Sequence, residues 1–230
     1  MRRILAIMAL SMLATGCTTT TGGTVVAAAN LGHAPEPLAA SALRGLLLTE
    51  GELDNILDTS GLTVVQSAEK MYVNHTPDDD CLAAWVNTDE KVYAGTNWSA
   101  VRRQELHEDR EDYRHAVFES VVSFDDSLAA DKASTDQAKS WQRCDNRRIN
   151  ERDVDNPDDP DHYWSLETAE EQDGIHTMIR VAEGTGGWSC QRGLTARNNV
   201  VIDVDACGEN ITDEGLKIAQ QIADKVSDKQ

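Results

Sequence analysis

The stretch WSCQRGLTARNNVVIDVDAC, residues 188–207, decides the fold. Two runs rich in β-branched and apolar residues flank Asn198 and Asn199, and this pattern predicts a β-hairpin with a two-residue turn. A type I′ turn suits the two asparagines because asparagine tolerates positive φ. The resulting register makes Cys190 face Cys207 at a non-hydrogen-bonded position, where the α-carbons come close enough for a disulfide.

The same register supports a complete disulfide assignment. It places Arg192 opposite Asp205, a favourable pair of opposite charges, and it puts the apolar residues of the second strand on the other face. The four cysteines downstream of Cys17 allow three pairings. Since the hairpin uses two of them, Cys81 and Cys144 remain to form the second bridge. Two disulfides indicate an oxidising compartment.

Periodicity outside the hairpin predicts further strands and helices. Thr49-x-x-Glu52 has the capping-box pattern, Asp125 or Asp126 can cap a longer second helix, and Thr212 can cap a final helix with an apolar stripe. Strands are predicted near residues 62–65, 116–124, 163–168, 175–182, 188–197 and 200–206. These elements predict an α+β fold, in which a mainly antiparallel sheet is flanked by helices and held by two disulfides in one domain.

The N-terminus has the three parts of a secretory signal peptide. Two arginines precede an apolar segment from Ile4 to Leu13, and small residues follow. This segment is shorter than the roughly 18 apolar residues that a transmembrane helix needs. Gly16-Cys17 resembles the lipobox of bacterial lipoproteins, although Ala14 stands where that pattern usually has leucine. We therefore expect residues 1–16 to be a lipoprotein signal peptide and Cys17 to carry the lipid anchor.

A stretch rich in Thr, Gly and Ala follows the lipobox. It contains Pro35 and Pro37 and has no helical or strand period, which predicts a lipid-anchored flexible tether at residues 17–40. Residues 41–230 contain no second linker and no internal repeat, and their length suits a single extracellular domain. The expected location is the outer face of the cell membrane.

The charge balance excludes one class of partner. The chain has 21 Lys and Arg against 40 Asp and Glu, which gives a formal net charge of -19. Phosphate recognition needs clustered basic residues, so no nucleic acid is expected to bind, and anionic lipid head groups are disfavoured. The acidic stretches 105–112 and 153–161 are typical of solvated surfaces.

Motifs for catalysis or metal binding are missing from the sequence. A partial match to the EF-hand loop begins at Asp203, but its fifth position is the disulfide-forming Cys207 and no helix precedes it. The histidines show no zinc spacing, and no nucleophile beside a base is recognisable, as an unrecognised hydrolase would need. We therefore expect no catalytic residues, no metal and no cofactor, and we interpret the protein as a non-enzyme.

One short segment is a candidate for ligand contact. Trp98 is followed closely by Arg102, Arg103 and Gln104, so that an aromatic face is combined with positive charge, which is scarce in this chain. We predict Trp98, Arg102 and Gln104 as ligand-binding residues.

Five segments are distinctive enough to compare with a known family: Cys81–Trp85, Tyr93–Trp98, Ser99–Arg102, Ser140–Cys144 and Arg197–Cys207. Together they resemble the PknH-like extracellular sensor domain, over about residues 41–228. That family occurs as the external part of a mycobacterial transmembrane Ser/Thr protein kinase and as stand-alone envelope lipoproteins, and this chain is similar to the second kind. The resemblance implies a sheet flanked by helices, a cleft for an unidentified ligand and two disulfides at the same spacing. It supplies no established ligand contacts.

These features together predict a lipid-anchored lipoprotein of the cell envelope. Its sensor-like domain is expected to bind a small molecule or a cell-wall component in a cleft. The alternative is a protein–protein interaction module that docks an envelope protein through its acidic surface. A large exposed apolar patch would favour that alternative.

Overall fold

The hairpin at residues 188–207 lies within a nine-stranded sheet in the computed structural model, which describes residues 35–74 and 76–229. Strand β8 (Trp188–Arg197) pairs with β9 (Val200–Glu209), and Cys190 faces Cys207 with 4.0 Å between their α-carbons. The predicted register and bridge are therefore confirmed. Of the two turn residues only Asn198 has a positive φ, 51°, so the turn is not type I′. Its two-residue length is enough to keep the register.

The remaining elements surround this hairpin. The helices are α1 (Glu50–Ile56), α2 (Leu82–Trp85), α3 (Glu90–Tyr93), α4 (Ser127–Trp141) and α5 (Glu214–Ser227), with 3₁₀ helices at Ala40–Leu46, Asp79–Cys81 and Gln142–Cys144. The other strands are β1 (Leu62–Ala68), β2 (Ala100–Glu108), β3 (His115–Ser123), β4 (Arg148–Asn150), β5 (Tyr163–Leu166), β6 (Glu170–Gln172) and β7 (Ile175–Ala182). The strand order is β1-β2-β3-β9-β8-β7-β5-β4, β6 pairs with β7, and neighbouring strands run antiparallel.

The predicted fold class is confirmed, with a second local correction besides the turn type. The sheet is mainly antiparallel, helices flank it, and disulfides join Cys81 to Cys144 and Cys190 to Cys207. The prediction that Thr212 caps the last helix is wrong. Asp213 is the N-cap, and its side chain makes no capping hydrogen bond. The Glu214 carboxylate instead accepts the backbone N–H groups of Thr212 at 2.7 Å and of Asp213 at 3.1 Å.

Helices cover both faces of the sheet and create two hydrophobic cores. On one face α5, α1 and the first 3₁₀ helix bury a core that includes Leu43, Leu46, Leu53, Val204, Ile218 and Ile222. On this face Gly193 of β8 lets α5 approach the sheet closely, since a Cβ there would lie 2.6 Å from the carbonyl oxygen of Gly215. On the other face α4 and α2 bury both disulfides together with Trp85, Tyr93, Phe124, Trp141 and Trp164.

The N-terminal part of the described chain is held at the β8–β9 turn. The Asn199 side chain accepts the N–H of Leu38 at 2.7 Å and donates to its carbonyl at 3.1 Å, while Asn198 donates to the carbonyl of Glu36 at 2.8 Å. Contacts with the domain thus begin within the segment predicted as a tether. The predicted signal peptide and Cys17 lie outside the described residues. Within the described ranges, no helix combines the length and apolarity needed to cross a bilayer.

Candidate functional site

A groove runs between α4 and residues 82–97 on the disulfide-bearing face of the sheet. Its volume is about 780 Å³, within the range of roughly 300 to 1,000 Å³ that small-molecule sites occupy. The apolar side chains along it are Leu82, Ala83, Val92, Ala129 and Ala133. The exposed charged side chains along it are Asp80, Lys91, Lys132, Asp136 and Arg143. The groove can therefore hold a ligand that has both apolar and polar parts.

The wall opposite α4 consists of short helices, so tertiary contacts must hold it in place. The Cys81–Cys144 disulfide joins its beginning to the 3₁₀ helix that directly follows α4. Asp89, which is fully buried, caps α3 by accepting the N–H of Lys91 at 2.9 Å and also accepts two hydrogen bonds from Asn74. These contacts fix a segment whose helices have only four residues each and would not be stable alone.

A buried ion pair connects this wall to the centre of the sheet. Arg192 of β8 and Asp203 of β9 are both 0 % exposed and form a close ion pair. Asp203 also accepts the backbone N–H of Thr88 at 2.8 Å and the hydroxyl of Tyr93 at 3.1 Å. Arg192 donates to the carbonyl of Ala83 at 2.8 Å and to that of Val86. The groove wall thus depends on charges that belong to the sheet.

Gln137 of α4 is a buried polar residue beside the groove. Its side chain is only 5 % exposed, and neither atom of its amide has a hydrogen-bond partner among the described residues. It lies next to Tyr93. Burial raises the pKa of the Tyr93 hydroxyl well above its usual value, and the nearby Gln137 amide offsets only part of that rise. That contact falls outside hydrogen-bond geometry, so the amide keeps unused hydrogen-bonding capacity, which costs stability in a buried position.

The hydroxyls along the groove are engaged by backbone carbonyls. Ser140 donates to the carbonyl of Gln137 at 2.7 Å, and Thr96 donates to that of Tyr93 at 2.8 Å. Among the described groove residues there is no histidine or thiol that could activate either hydroxyl. A hydrogen bond from Arg147 lowers the pKa of Asp80, so this carboxylate stays ionised. Among the described residues that line the groove, no nucleophile is paired with a general base.

Asp205, which belongs to the partial EF-hand match, forms a second buried ion pair with Arg180. Asp205 lies 2.8 Å from Arg180, and burial raises the pKa of this carboxyl while the two nearby arginines oppose the rise. A carboxylate oxygen of Asp205 and the sulfur atoms of Cys190 and Cys207 lie within 4.8 Å of one another, which is close enough for three ligands of one metal ion. The two sulfurs are joined in a disulfide and cannot act as thiolate ligands.

The three predicted ligand-binding residues lie elsewhere. Trp98 precedes β2 and is 38 % exposed, whereas Arg102 and Gln104 lie within β2. The guanidinium of Arg102 is 3.2 Å from the carboxylate of Glu69, and Gln104 donates to the side chain of buried Glu119 at 2.6 Å. None of the three lines the groove, and their role in ligand binding stays a prediction.

Sequence reasoning did not select the residues that do line the groove. The signals pointing to them were three segments of the family resemblance, Cys81–Trp85, Tyr93–Trp98 and Ser140–Cys144, each of which includes groove residues. Gln137 and its neighbours on α4 carry no local signal, because an amphipathic helix pattern does not reveal which residues face a groove.

Two buried disulfides in a helix-covered antiparallel sheet are typical of a domain that folds in an oxidising, extracytoplasmic compartment. The profile of the family described as PknH-like extracellular domain matches residues 38–225. The serine/threonine-protein kinases PknH of Mycobacterium bovis and Mycobacterium tuberculosis are each 30 % identical over 195 residues, which is 84 % of this chain. The crystal structure of the extracellular domain of PknH from Mycobacterium tuberculosis matches with a TM-score of 0.79 and 29 % identity, over 84 % of this chain and 98 % of that chain.

The chain therefore belongs to the PknH-like extracellular domain family. It covers only 32 % and 30 % of the two kinases, so it spans about a third of the length of the curated relatives it matches. The family assignment places the folded domain outside the cytoplasm.

Proposed function

We propose that this protein is a non-enzymatic lipoprotein of the cell envelope whose extracytoplasmic domain binds a small molecule or a cell-wall component. The groove between α4 and residues 82–97 carries this proposal. Its volume of about 780 Å³ suits a small ligand, and its lining mixes apolar and charged side chains. The relatives support it, because the matching domain of PknH is the extracellular part of a kinase, where a ligand from outside would be received.

The anchor in this proposal is a diacylglycerol on Cys17. The support is the apolar N-terminal segment that ends in Gly16-Cys17. Each buried methylene of an acyl chain contributes about 0.8 kcal/mol, so two or three chains hold a protein stably on a bilayer. The domain would then stand on the outer face of the cell membrane, where its ligand would be sensed, sequestered or delivered.

The test is native mass spectrometry of the mature protein in detergent after incubation with envelope extract. Wild type should retain a defined extra mass, and an Ala129→Trp variant should lose it because the indole fills the groove. Leu128→Trp is the matched control, since Leu128 directly precedes Ala129 on the same helix, is 79 % exposed and does not line the groove. Retention of no ligand by wild type, or equal retention by both variants, would contradict the proposal.

A further inference from the structure

One end of the domain carries two exposed apolar side chains that the groove does not use. Trp98 is 38 % exposed just before β2, and Leu128 is 79 % exposed in the first turn of α4. The two segments are held together, because the hydroxyl of Ser99 donates to the carboxylate of Asp125 at 3.0 Å. Single exposed apolar residues are common on proteins, so the significance of this pair depends on where it lies.

The pair lies at the end of the sheet where the N-terminal segment enters. The backbone N–H of Ser99 donates to the carbonyl of Ser123 at 2.7 Å, and that of Phe124 donates to the carbonyl of Asn199 at 2.8 Å. The side chain of the same Asn199 holds both backbone groups of Leu38. The start of β2, the start of α4 and the entering chain therefore meet at the β8–β9 turn.

This location matters if Cys17 anchors the protein, so the inference rests on the proposed function. Seventeen residues, 18–34, separate Cys17 from the described domain, and they can reach at most about 60 Å. Strand β8 has ten residues and spans about 30 Å, so the opposite end of the sheet lies about that much further from the entering chain. Contact between the near end and the bilayer therefore requires the least extension.

We propose that Trp98 and Leu128 form a membrane-docking face that inserts into the interfacial region of a bilayer with zwitterionic head groups. Tryptophan is favoured at this depth because its ring is apolar and its N–H can remain hydrated. The exposed carboxylates of Asp125 and Asp126 lie beside the face and repel anionic head groups. Since Asn97 and Ala129 line the groove, docking places one end of the groove at the lipid surface.

The test uses the mature lipoprotein in phosphatidylcholine vesicles that contain brominated lipid, which quenches tryptophan at short range. Docking predicts that part of the fluorescence is quenched and that this part disappears in Trp98→Phe. Trp188→Phe is the matched control, because Trp188 begins β8 at the opposite end of the sheet. Quenching that is absent, or that Trp98→Phe leaves unchanged, overturns the docking face.

A second variant tests the insertion itself. Leu128→Asp should reduce the ratio of docked to undocked protein about tenfold, because one apolar side chain no longer enters the bilayer. Aspartate is tolerated in a first helical turn, so the fold should be kept. Val154→Asp, at an exposed apolar residue outside this pair, should have no effect. Equal loss in both variants, or stronger docking on phosphatidylglycerol, overturns the proposal.

Flotation of the same vesicles distinguishes a failure of the lipid anchor from a failure of the docking face. Protein that floats but shows no quenching dependent on Trp98 refutes the docking face and leaves the anchor intact. Protein that does not float refutes the anchor, and the docking face is refuted with it.

Discussion

Replacing Arg192 by methionine should destabilise the domain strongly. The guanidinium is 0 % exposed, pairs with the equally buried Asp203, and lies 4.8 Å from the ring of Trp141. It also donates to the carbonyls of Ala83 and Val86 in the groove wall. Methionine is flexible enough to fill much of the same space, but it removes the charge and all of these hydrogen bonds.

The magnitude follows from the carboxylate that is left behind. Removal of one partner from a buried ion pair costs about 3 to 5 kcal/mol, because the other charge stays buried without compensation. Asp203 keeps the hydrogen bonds from Thr88 and Tyr93, which favours the lower half of that range. A typical domain has about 5 to 15 kcal/mol of stability, so the loss would be a large fraction. Adding Asp203→Asn should recover part of it by removing the unpaired charge.

Urea denaturation followed by tryptophan fluorescence measures this effect by linear extrapolation of the unfolding free energy. Arg148→Met is the matched control, since Arg148 also pairs with a carboxylate, that of Glu183, but on the exposed surface. This control should change stability very little. A loss below about 1 kcal/mol in Arg192→Met, or no recovery in the double variant, would refute the argument that this ion pair holds the groove wall.

Three further predictions concern other parts of the fold. Burial raises the pKa of Glu119 to about 7. The protonated carboxyl therefore stabilises the fold fully below pH 4.5, and this contribution is lost as the pH rises through 7. Compared with Glu119→Gln, the unfolding free energy of wild type should fall by about 3 kcal/mol over that range, and a difference independent of pH would contradict this. Serine in place of both Cys81 and Cys144 should cost about 4 kcal/mol in urea unfolding, because the bridge closes a loop with a sequence separation of 63; a loss below about 1 kcal/mol would argue against a structural role. Gly193→Ala should cost about 1 to 3 kcal/mol of stability, because the added methyl group pushes α5 away from the sheet. Gly51→Ala is the control and should not destabilise the domain, because the space around Gly51 is open. Equal changes in melting temperature for the two variants would refute the close packing at Gly193.

The features that the sequence predicted well depend on local rules. The two-residue turn at Asn198 and Asn199 determines the register of β8 and β9 whichever turn type forms, so the facing of Cys190 and Cys207 followed directly. Once that bridge was assigned, Cys81 and Cys144 had only each other. The capping box of α1 and the Asp126 cap of α4 are equally local, because each side chain bonds a backbone group three residues away.

The candidate site was harder to predict because its parts come from distant segments. Asp203 resembled a metal ligand in sequence, but in the fold it pairs with Arg192 and accepts a bond from Thr88, which is 115 residues away. Gln104 seemed available for a ligand, whereas it is engaged by Glu119 on the neighbouring strand. Such pairings depend on which strands become neighbours, and hydrophobic periodicity carries no information about that choice.

The sequence by itself therefore determined the fold class, the hairpin register, both disulfides and the membership of an extracellular domain family. Turn length, alternation and cysteine spacing act over a few residues, and each leaves few alternatives. Only the tertiary structure decided where the groove lies, that Arg192 and Asp203 support its wall, and that Trp98 and Leu128 share the end where the chain enters. Those relations arise from contacts between segments far apart in sequence, which form only when α4 and residues 82–97 pack on the same face of the sheet.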